Sequence, residues 1–210
     1  MIGRLVNVVG GSCKRRDMLR EKQVEKIVEA MDIGEIESGK GLHQEYTLQR
    51  ATETRWSSHY KTLVNIGILF PSILEVLGYV FEDGASLEQK GDAKLLLAWL
   101  LSFDFAFTSI LMKSILGITN ELSLTLQKKD LDIVNAIQLV GIAKQRLEIM
   151  RNNGWEPLIE EVSSFCHKYN ICIPKMDDAY QVPGMISNYL LHLMHVLIIY
   201  KLLIFKALFR

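Results

Sequence analysis

The residues best suited to hold a flat, charged ligand are consecutive: Thr54-Arg55-Trp56-Ser57-Ser58-His59-Tyr60. An indole stacks on a nucleobase, and a guanidinium beside it holds a phosphate through paired N–H donors. The two serines that follow suit the start of a helix. A tryptophan at such a start also serves as a plug that closes the first turn against a core, and residue types alone leave both readings open. A second patch, Lys14-Arg15-Arg16 with Arg20, has the charge to touch phosphates. Glu21, Glu25 and Glu29 lie close enough to neutralise it, which is the pattern of a solvated helical face.

Other chemistries find less support. Asp177-Asp178, Glu160-Glu161 and Asp83 are the candidate carboxylates, but a metal-dependent nuclease needs two or three acids converging from distant places, and adjacent acids on one element point apart. They read as solvated faces or helix caps. Cys166, His167 and Cys172 form the one sulfur and imidazole cluster, without the second close pair that a zinc site requires. Gly10-Gly11-Ser12-Cys13-Lys14 has neither the P-loop nor the dinucleotide spacing. No catalytic residue, metal ligand or cofactor is therefore expected.

Composition narrows the partners. Lys and Arg number 24, as do Asp and Glu, so the chain has no basic excess with which to hold a polyanion and any nucleic-acid contact must be local. With 210 residues, 49% of them hydrophobic, one large or two small domains are affordable and general disorder is excluded. Three scattered cysteines, Cys13, Cys166 and Cys172, build no disulfide framework. The start Met1-Ile2-Gly3-Arg4-Leu5 lacks a long apolar run and cleavage site. A nuclear or cytoplasmic location is expected.

The elements that must position these residues are mostly helices. Leu5–Val9 is too short for its period to decide between a short strand and the end of a helix. From Cys13 to Met31, Met18, Val24, Ile27, Val28 and Met31 predict the apolar face of an amphipathic helix. Gly34, Gly39 and Gly41 make a loop ending at His43 and Gln44. Thr52 or Thr54 would cap a dense apolar helix from Tyr60 to Phe81, bent or split by Pro71. Ser86 caps a helix expected to run from Leu87 to about Leu116, apolar nearly all round, with Gly117 as its break. A shorter helix then covers Ile118–Leu126, Lys128-Lys129-Asp130 turns, and Asp130 or Asp132 caps a helix ending at Asn152-Asn153-Gly154. Trp155 opens another through Cys166, with Pro174 in its exit loop.

The tail differs. Asp178 is the last acidic residue, and Met185–Phe209 is almost unbroken Leu, Ile, Met, Phe, Val and Tyr with His192, His195, Lys201 and Lys206 inserted. Those insertions argue against a membrane span, and an interfacial helix fits them better.

Several runs taken together carry a family resemblance. They are Val6–Glu21 (VNVVGGSCKRRDMLRE), Thr54–Tyr60 (TRWSSHY), Ile115–Ser123 (ILGITNELS), Lys129–Ala136 (KDLDIVNA), and Ser164-Phe165-Cys166 through Pro174-Lys175-Met176-Asp177. They resemble plant transposase-like proteins of the hAT superfamily, often labelled zinc finger MYM-type or TTF-type, over about residues 5 to 178. The resemblance implies an RNase H-like catalytic domain interrupted by a large helical insertion, with an N-terminal zinc finger and a C-terminal dimerisation segment. It also implies catalysis by two aspartates before the insertion and one glutamate after it, holding divalent metal. No residue of this chain lines up with those acids, and the finger is missing as well. One family position does transfer: the tryptophan of the Arg-Trp motif, which stacks on a flipped base at the transposon end, falls on Trp56 beside Arg55. Near Tyr180 the resemblance ends, and the tail reads as a translated intron or shifted frame.

The expected protein is mainly α, a helical bundle like the insertion domain of such a transposase, with a short strand near the N-terminus as an open possibility. Residues 1–50 would precede the insertion, 51–178 would form it, and 179–210 would be a divergent tail. The expected function is that of a truncated, catalytically inactive transposase-derived protein that retains nucleic-acid contact through Arg55, Trp56, Lys14, Arg15 and Arg16. Its partners would be DNA and related transposase-like proteins. The alternatives are a domesticated DNA-binding or protein-interaction module, or a product attached to a membrane by its tail.

Overall fold

The computed structural model describes residues 1–32, 48, 56–128, 132–175, 179–182 and 185–188. Among them the chain is mainly α, with eight helices and one short antiparallel hairpin. The helices are α1 (Ile2–Gly10), α2 (Cys13–Asp32), α3 (Trp56–Ile68), α4 (Phe70–Asp83), α5 (Leu87–Leu100), α6 (Phe103–Leu126), α7 (Ile133–Asn153) and α8 (Trp155–Lys168). The hairpin pairs β1 (Ala179–Val182) with β2 (Met185–Asn188). The glycine loop at 34–44, the capping threonines Thr52 and Thr54, Lys129-Asp130 and the tail beyond residue 188 lie outside the described residues.

Leu5–Val9 belongs to a helix, which corrects the strand alternative. Leu5 and Val9, one turn apart, are fully buried against α4 and α5, and Arg4 on the outer side pairs with Asp92 of α5 at 2.6 Å. The inner face of α2 also differs from expectation. Leu19 and Gln23 are buried, whereas Val24 and Val28 are 60% and 48% exposed. Met18 and Leu19 pack into the core, and polar contacts to α4 accompany them: Lys22 and Lys26 reach Glu75 at 3.3 and 3.7 Å, and Lys14 donates to the Tyr79 hydroxyl at 2.7 Å.

Pro71 splits the next segment as expected. Its ring cannot continue the preceding helix, so α3 stops at Ile68 and α4 leaves at 76°, with Pro71 in its first turn. Ser86 caps α5 by accepting from the Gln89 N–H, and Asp132 caps α7 by accepting from the Asn135 N–H. Gly154 ends α7 and α8 begins at once with Trp155.

The single helix expected from Leu87 to Leu116 is in fact two. Ser102 accepts from the Phe105 N–H and donates to the Trp99 carbonyl, so the chain turns by 67° between α5 and α6. Gly117 is not a break but an interior residue of α6, and it lies against Tyr60 of α3. A methyl group at that position would just touch the ring, which leaves no room for a larger side chain.

Two apolar clusters result. Leu5, Val9 and Leu19 join residues of α3, α4 and α5 in one, so the first helices share a core with the later ones. The other gathers α6 and α8 around Phe107, Val162 and Cys166. Phe165 and Tyr169 pack against both, and Phe70 is the hub, with ring centroids 4.9 Å from Phe165, 4.5 Å from Tyr169 and 5.9 Å from Phe105. Among the described residues no single helix is long and apolar enough to cross a membrane.

Candidate nucleic-acid interface

Helix α3 begins at Trp56, the residue that the sequence singles out, while Arg55 lies outside the described residues. A helix start offers unpaired backbone N–H groups and the positive end of the helix dipole, both favourable to phosphate. No acidic side chain occupies the first turn of α3 to cancel that field.

What fixes this helix start is packing one turn further on. Tyr60 lies against Gly117, where an added Cβ would stand 3.4 Å from the ring. α3 packs along α6, with Tyr60 opposite Gly117. On α6, Glu121 forms an ion pair with Arg146 of α7. This pair carried no signal in the sequence, because its partners are 25 residues apart on different helices.

The basic patch sits elsewhere. Lys14 is engaged with Tyr79, its ammonium also 5.0 Å from the ring centroid, and the hydrogen bond to the Tyr79 hydroxyl raises its pKa. Arg16 donates to the Cys13 sulfur at 3.2 Å, and Arg20 pairs with Asp17 at 3.6 Å. Arg15 is half-buried. Tyr79 stands nine residues into α4 and Trp56 twelve residues before the elbow. At 1.5 Å per residue and a 76° bend, the two backbone positions on the helix axes are about 25 Å apart. Lys14, Arg15 and Arg16 therefore form no single site with Trp56. Of the three, Lys14 reaches α4 through Tyr79, while Arg16 is engaged within α2 by the Cys13 sulfur.

Between α3 and α8, α6 floors an open groove of about 720 Å³. Its floor is apolar, with Phe70, Phe105, Ile110 and Phe165, and its edge carries the Lys113–Glu161 ion pair at 2.9 Å together with Lys168. Of the candidate acids, Asp177 and Asp178 lie outside the described residues, and Glu161 of α8 is engaged with Lys113 of α6. Cys166 is buried while His167 and Cys172 are exposed, so the three do not converge. Burial pushes the Cys166 thiol pKa up, which keeps it protonated. Among the described residues no group of three or more His, Cys, Asp or Glu side chains has metal-holding geometry.

Comparison with family models, with curated proteins and with solved structures finds no match to this chain.

Proposed function

We propose that this chain is a transposase-derived helical module that contacts nucleic acid through the start of α3 and does not cut it. The observation that carries the reading is the position of Trp56: it is the first residue of a helix whose first turn holds no acid and whose next turn packs through Tyr60 against Gly117. In this reading Trp56 stacks on an unpaired base, Arg55 holds an adjacent phosphate, and the helix N-terminus adds its field. The resemblance to hAT transposases supplies the lineage and the expectation of a flipped base at a DNA end. The chain's even charge restricts contact to a few phosphates, so binding would be local and modest.

Labelled hairpin DNA with an unpaired base at its tip tests the proposal. Binding should fall with salt at a slope corresponding to about one or two phosphates. Trp56→Ala should weaken it roughly 5- to 150-fold, the equivalent of about 1–3 kcal/mol of stacking, with an unchanged melting curve. Equal affinity in the variant would refute the stacking role. Cleavage of the duplex with Mg²⁺ or Mn²⁺ would refute the absence of cutting.

A further inference from the structure

We draw no further inference here: the strongest candidate, the open groove that α6 floors between α3 and α8 with Lys113 and Lys168 at its edge, carries nothing, because Phe70 and Phe105 of its floor are already buried in the core, Lys113 is engaged with Glu161, and nothing in the structure shows what covers the apolar face that is left.

Discussion

Gly117 decides whether α6 is one helix or two, and it connects the core to the start of α3. If it is an interior helical residue, alanine there should stabilise the protein. Glycine in a helix interior costs about 0.8–1 kcal/mol relative to alanine. The new methyl group would stand 3.4 Å from Cε2 of Tyr60 and 3.8 Å from Cζ, ordinary contacts that need no rearrangement. Gly117→Ala should therefore add about 0.5–1 kcal/mol. Leucine at the same position must drive three further carbons into the Tyr60 ring, and overpacking of this kind costs about 1–3 kcal/mol, outweighing the propensity gain. Urea unfolding followed by far-ultraviolet circular dichroism reads both changes as midpoint shifts at a common slope. A double-mutant cycle isolates the contact: in a Tyr60→Ala background the cost of Gly117→Leu should largely vanish. The reasoning fails if alanine destabilises by more than about 1 kcal/mol, as expected of a helix break with left-handed backbone. It fails equally if the leucine penalty is the same with and without the tyrosine ring.

Phe70→Ala should cost about 3–5 kcal/mol, because the ring is fully buried where three aromatic partners meet. A thermal melt checks it, and a loss under about 1 kcal/mol would contradict the hub role. Ser102→Ala removes the cap between α5 and α6 and should cost about 1 kcal/mol, whereas Ser102→Asp should restore most of it by accepting from the same N–H. The raised pKa values of Cys166 and Tyr169 make stability depend on pH in one direction. The unfolded thiol and phenol ionise first, so their contribution is intact below the ordinary thiol value near 9 and is lost as pH rises beyond it. Urea titrations at pH 8 and pH 10 should show this fall, and Cys166→Ala should reduce its steepness.

The sequence made legible those features that rest on local chemistry. Ser86, Asp132, Pro71 and Gly154 each act on the backbone within a few residues, and each lies at the expected helix end. The turn at Ser102 was hidden because Trp99, Leu100, Phe103 and Phe105 are apolar on both sides of it, so the periodic signal continues across the bend. Gly117 misled for the opposite reason. Its role is a contact with Tyr60, fifty-seven positions away, that no local rule reports. The isoleucines of α7 show a further limit: apolar periodicity suggests burial, yet the core closes on α6 and α8 and leaves Ile133, Val134 and Ile137 at the surface. The helix start at Trp56 was legible, whereas the separation of Lys14 from Trp56 depends on the elbow at Pro71 and on which face of α4 receives α2.

The nucleic-acid role of Trp56 can be observed directly by its own fluorescence. Trp99→Phe and Trp155→Phe, both conservative changes at half-buried aromatic positions, leave Trp56 as the sole indole. Titration of this protein with hairpin DNA bearing an unpaired base should quench the emission saturably, and added salt should reverse the quenching as binding is lost. An emission that stays constant while the DNA demonstrably binds, or the absence of salt-dependent binding, would contradict the account.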